Sequence, residues 1–185
     1  MATASTGNIK CPATLIFAIL FVSSCLNRPK ISKGTMLAGM YKLLIIEHQD
    51  STGRWQEEGW AKGGDSYIVY DGLGHMAVQI TPKGYKDFEW LTESESINEK
   101  LVKRKTESMS LAELKAAVVE FSSNYVYVAN YSIDYATNVV THKRVSSSIP
   151  SVWGTEVIRS FSFTGDTLIL KVLDRNRRLK WIRQR

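Results

Sequence analysis

The chain has 185 residues, 44% of them hydrophobic, with 24 Lys and Arg against 18 Asp and Glu. That suits one domain with its own core and is too short for two ordinary ones. The balance excludes a disordered, collagen-like or multiply membrane-spanning chain.

Residues 1–24 read as a targeting segment and stand apart from the fold. Lys10 is their only charged residue, followed by an apolar run from Cys11 to Val22 that contains Pro12 and Thr14. A helix needs about 20 apolar residues to cross a bilayer, so this run suits the apolar region of a secretory signal instead. Val22-Ser23-Ser24-Cys25 then resembles the bacterial lipobox, in which cleavage falls before the cysteine and the thiol carries a diacylglycerol. The expectation is lipidation at Cys25, a polar and basic tether over 25–38, and a folded domain over 39–185. Cys11 would leave with the signal, so the mature protein would hold no disulfide. Leu26 follows the cysteine where an Asp commonly retains such proteins in an inner membrane. The expected location is therefore the cell envelope, on the periplasmic face of an outer membrane.

The body of the chain reads mainly as strands: Met40–Glu47, Ser66–Asp71, His75–Ile80, Tyr125–Ile133, Val139–Ser146, Glu156–Phe163, Thr167–Val172 and Leu179–Arg183. Each is rich in β-branched and aromatic residues and is bounded by turn chemistry such as Asp71-Gly72-Leu73-Gly74 or Thr164-Gly165-Asp166. Between the third and fourth of these, the charged stretch Glu93 to Thr106 predicts a helix. Ser110 with Glu113 forms a capping box opening a second helix, with Leu111, Leu114, Val118 and Phe121 along its apolar side. About eight short consecutive strands predict an antiparallel up-and-down β-barrel with a helical insertion between strands three and four, since closure removes exposed edges.

Alternation selects the inward side chains. Val157, Arg159, Phe161 and Phe163 share one face of their strand; Tyr125, Tyr127, Ala129, Tyr131 and Ile133 share another. Leu168, Leu170 and Val172 form a third set, then Leu179 and Trp181, while His142 shares a face with Val140 and Arg144. An interior of Tyr, Trp and one Arg is more polar than packing requires, and each buried polar group left unpaired costs about 1–3 kcal/mol. Arg159 therefore needs a partner, either an acidic ligand or an internal group such as Tyr131 or His142.

Several pieces bring a family resemblance. Gly39-Met40-Tyr41-Lys42-Leu43 resembles the Gly-Thr-Trp-x-Leu that opens small lipocalin-like domains, with Met40 and Tyr41 in place of Thr and Trp. Tyr67 to Tyr70 and Gly74 to Ile80 look like the first hairpin. Tyr127-x-x-x-Tyr131-x-Ile133-Asp134, Val140-x-His142, Pro150-x-x-x-Gly154, Arg159, Gly165-Asp166-x-Leu168-x-Leu170 and Leu179-x-Trp181 resemble the second half. The resemblance covers Leu37 to Arg183 and implies a barrel whose interior can hold a small molecule. It implies no single activity.

Chemistry is sparse. His48, His75 and His142 form no metal-ligand spacing, no nucleophile elbow or phosphate loop occurs, and no metal or cofactor is expected. Residues 171–185 hold seven Lys and Arg against Asp174 alone. They suit either an anionic partner or a solvated basic hairpin; the hairpin is the expectation, without nucleic acid as a partner. Three functions fit: a lipid-anchored monomer binding a small apolar or amphipathic molecule, a cofactor-free isomerase, cyclase or hydrolase using the same lumen, or an envelope protein with a filled barrel. Binding is the leading expectation, with Arg159, His142, Tyr131, Tyr127, Trp181 and Phe161 as the candidate ligand-binding set.

Overall fold

The computed structural model describes residues 36–185 apart from Phe88. The expected signal, Cys25 and most of the tether lie outside the described residues. Nine strands are present among the described residues: β1 (Gly39–Gln49), β2 (Trp55–Glu57), β3 (Tyr67–Tyr70), β4 (His75–Ile80), β5 (Tyr125–Asp134), β6 (Val139–Ser147), β7 (Glu156–Thr164), β8 (Thr167–Val172) and β9 (Arg177–Arg183). All pairings are antiparallel, and β1 joins both β3 and β9, so eight strands close into a barrel. The ninth, β2, folds back onto the far end of β1 through a turn in which the Asp50 carboxylate accepts from the Thr52 and Arg54 amides.

That extra strand corrects the expected count. The helices α1 (Glu93–Ser96), α2 (Glu99–Ser108) and α3 (Leu111–Ser123) lie between the fourth and fifth strands, not the third and fourth. The stretch of chain is the one anticipated. What sequence reading missed is β2, whose three residues are too few to show an alternation. The charged segment from Glu93 also splits in two, because Asn98 accepts from the Lys100 and Leu101 amides and starts a new helix. Ser110 and Glu113 form the anticipated box at the head of α3.

The barrel has a closed and an open end. At the closed end, Tyr41 is fully buried and donates to the Leu37 carbonyl (3.1 Å). The Arg183 guanidinium lies 4.7 Å from the Tyr41 ring centre and donates to the Ala38 carbonyl and the Tyr41 hydroxyl. Tyr41 thus fills the floor where the related motif has Trp. Gly39 must be glycine here: its φ is +138°, and a Cβ would come within 2.5 Å of Arg183. The open end is framed by the helical segment, the 148–155 loop and the 173–176 turn.

Inward faces follow the alternation. Tyr127, Ala129, Tyr131, Val140, Phe161, Leu168, Leu170, Val172, Leu179 and Trp181 all belong to the buried core. Phe163, expected inward, is partly exposed at the end of β7, where its ring meets that of Phe161 edge to face at 6.5 Å between centres. Register slips at Leu44 in β1 and at Val145 in β6, where one residue bulges outward from each pair.

The basic C-terminal hairpin is less solvated than expected. Arg178 (2.6 Å) and Lys180 (3.0 Å) both pair with Glu47, and Arg177 pairs with Glu58 (2.7 Å). Trp55 of β2 stacks on Arg178 at 3.9 Å. Burial alone would raise the Glu47 pKa; the two cations overcome it and bring it below its ordinary value.

Candidate functional site

Three strands bring a polar cluster into the apolar interior. His142 of β6 is fully buried, with Nε2 2.9 Å from the Tyr70 hydroxyl and Nδ1 3.0 Å from the Tyr127 hydroxyl. Burial, reinforced by the charges of Arg159 and Arg144, pushes the His142 pKa down to about 3. The ring is therefore neutral at physiological pH. A neutral imidazole has one donor and one acceptor, so one tyrosine donates to it while the other accepts from it. Burial raises the pKa of both tyrosines, with Arg159 opposing that rise. Tyr131 meets Tyr70 edge to face, 5.0 Å between ring centres. Phe161 and Trp181 are buried in the same core.

The deep half of the barrel is full. Behind Arg159, between Tyr127, Leu170 and Trp181, only about 10 Å³ remains, space for at most one water. At the open end a cavity of about 640 Å³ is lined by Trp60, Ile80, Tyr125, Ile149, Val152 and Leu173, with the charged residues Arg144, Arg159, Arg175, Arg177, Glu156 and Asp174. Arg159 borders both spaces and so forms the partition between them. Of the six residues singled out from the sequence, Arg159 alone lines the open cavity. Tyr127 and His142 stand behind it, while Tyr131, Phe161 and Trp181 are packed in the core, away from the opening.

Two arginines at this floor are incompletely satisfied. Arg159 Nη1 and Arg144 Nε are buried without a hydrogen-bond partner. Arg144 spends its other nitrogens on the Tyr125 hydroxyl (3.2 Å) and the Glu156 carbonyl (3.4 Å). No carboxylate among the described residues lies within 4.0 Å of either guanidinium. Arg177, Arg178 and Arg185, by contrast, each pair with an acid. Sequence reasoning placed Arg144 on the face of His142 but gave it no role. It also passed over Tyr70, although Ile68 and Tyr70 alternate inward together.

Among the described residues no group of three His, Cys, Asp or Glu is placed to hold a metal ion. The cavity instead offers apolar walls with more arginines than carboxylates, and at its floor two cationic donors, Arg144 and Arg159, with an uncharged polar support behind them. That arrangement can bind and orient an acid group in a partly desolvated setting, where hydrogen bonds to charged groups are worth about 1.5–3 kcal/mol.

Neither the curated proteins nor the solved structures include a match to this chain. The lipocalin-like domain family does match, over residues 38–183, which spans the whole barrel from the floor beside Tyr41 to the end of β9. A barrel closed between its first and last strands, with a glycine and an aromatic residue at its floor, accords with that match. The chain belongs to the lipocalin-like domain family.

Proposed function

We propose that this protein binds a small, mostly apolar molecule bearing an acid group, seated in the open-end cavity with its acid on Arg159. The supporting observation is the buried, unpartnered Nη1 of Arg159 at the floor of that cavity, with no carboxylate among the described residues within 4.0 Å of the guanidinium. A guanidinium stays charged in any protein interior, so it gains from an anion brought to it. Binding is favoured over catalysis in the lumen, since the barrel's one buried histidine is uncharged and lies behind the partition.

The test is Arg159→Met, compared with wild type in two measurements. Native mass spectrometry of gently purified protein should show an acidic small molecule with wild type and none with the variant. Denaturant melts of the ligand-free proteins should agree within about 1 kcal/mol, or favour the variant, because a charge without a counterion carries an unrelieved desolvation cost. A variant that loses about 1–3 kcal/mol with unchanged co-purifying molecules would make Arg159 a structural plug.

The binding site is held at a membrane, in this reading, by a lipid on Cys25, supported by the lipobox-like Val22-Ser23-Ser24-Cys25. Cys25→Ser should move the protein from the detergent-extracted membrane fraction to the soluble one. A single acyl chain anchors only marginally, whereas two or more hold firmly. Unchanged membrane association, or an unmodified Cys25 by mass spectrometry, would overturn the anchor.

A further inference from the structure

A second cavity, of about 360 Å³, lies within the helical segment and is walled by Trp90, Leu91, Val102, Leu114, Val118 and Phe121. It is nearly all apolar. Ser122, at the end of α3, borders both this groove and the open-end cavity, so the two adjoin. The apolar side of α3 is left open: Val118 is 57% and Phe121 66% exposed, and of the helix Ala117 alone is buried. A helix face of this kind normally covers something. The floor of the adjoining cavity carries two guanidiniums outside any ion pair, each with one buried nitrogen that lacks a partner, Nε of Arg144 and Nη1 of Arg159. They come from neighbouring strands and both flank Tyr127, whose pKa each of them lowers.

We propose that the ligand is a long-chain amphiphile with a dianionic, phosphate-type head: the head bridges Arg144 and Arg159, and the alkyl tail leaves past Ser122 to lie in the helical groove. This rests on the binding reading above and adds the head class, a second head-binding residue and the tail's path. Two guanidiniums that form no ion pair are balanced by two negative charges, which a phosphate monoester approaches at neutral pH with a second pKa of about 6. Its tetrahedral oxygens accept from donors arriving in different directions, whereas a carboxylate is best met by one planar fork. The tail is directed outward because the deep barrel holds about 10 Å³ and cannot admit one.

The experiment titrates the full folded domain with dodecyl phosphate below its micelle concentration, with butyl phosphate and with dodecanoate, by calorimetry. Each buried methylene is worth roughly a fourfold gain in affinity, so dodecyl phosphate should exceed butyl phosphate by well over tenfold. Val118→Glu, at an exposed helical position, should erase most of that advantage while leaving butyl phosphate unchanged. Arg144→Gln should weaken both phosphates by about tenfold or more, the scale of one hydrogen bond to a charged group, and dodecanoate much less. Trp90 gives an independent readout: dodecyl phosphate should shift its emission, and Trp90→Phe should remove the shift. If dodecyl phosphate binding is insensitive to Val118→Glu and Arg144→Gln but lost in Arg159→Met, this two-part site is wrong and the binding reading stands. If no amphiphile binds wild type and nothing acidic co-purifies, both fall.

Discussion

Trp181→Ala should cost about 3–5 kcal/mol, the largest loss expected from any single truncation in this barrel. Trp181 is 1% exposed and lies opposite Leu43 of β1 and Leu168 of β8. It therefore packs across the seam where the last strand meets the first. Removing the indole leaves a void where neighbouring strands are held on both sides by ladder hydrogen bonds and can collapse little. In a domain of this size the loss corresponds to a Tm lower by roughly 10 °C or more. Ser162→Ala, on the outer face of β7, should change stability by less than about 0.5 kcal/mol. Thermal melts of the two variants check the pair. Equal responses would mean that the strand register is displaced by one residue.

Acid should unfold the protein earlier than its carboxylates alone would. His142 is held at about 3 in the folded barrel against an ordinary 6.5. As pH falls, the unfolded chain takes up this proton first, so its stabilising effect is complete above 6.5 and lost progressively towards about 3. At about 1.4 kcal/mol per unit the whole window amounts to something on the order of 4 kcal/mol. Asp50 and Asp71, both held at about 2 against 3.8, lose their contribution at lower pH. The slope between pH 6 and 5 thus reports the histidine, since carboxylates held below their ordinary range, such as Glu47, add to it only at lower pH. His142→Phe starts less stable, because the Tyr70 and Tyr127 hydroxyls lose their shared partner, but its stability should be flatter over that interval. Arg159→Met should narrow the window, since the guanidinium's charge helps to depress the histidine. Denaturant melts at a series of pH values measure all three. A wild-type curve without slope between pH 6 and 5 would show that the buried ring protonates freely.

Much of this architecture was legible because a half-buried strand advertises its faces. In β5 every second residue from Tyr127 to Tyr131 is buried, and one short repeat sufficed to orient it. The same logic placed Arg159 inward without knowledge of its neighbours. What escaped were features decided by long-range pairing. Glu47 and Arg178 are 131 positions apart and face each other only because β9 returns to β1. Without that register, the basic tail looked like a solvated hairpin. Likewise β2 exists because the turn at Asp50 delivers Trp55 onto Arg178, a partner that no local pattern reveals. For the candidate site, side-chain polarity pointed to a cluster around Arg159 and His142, and burial sorts its members: Tyr127 and His142 stand behind, Arg159 borders the cavity, and Arg144 lines it too. Volume is not written in alternation, so only packing could show that the deep barrel is full and the opening is not.

The filled interior separates two burdens that a hollow barrel would combine. Tyr70, Tyr127, His142 and Trp181 hold the strands together by contacts made among themselves and their neighbours. Part of the cavity wall comes from the 148–155 loop, the 173–176 turn and the end of α3, and the rest mostly from strand ends. Substitutions in those segments alter what fits without removing the packing on which folding depends. Such a scaffold is free to diversify its cargo: a lineage can change Ile149, Val152 or Leu173 repeatedly while the cage beneath remains intact. Innovation is cheapest at the rim, and the interior keeps every experiment foldable.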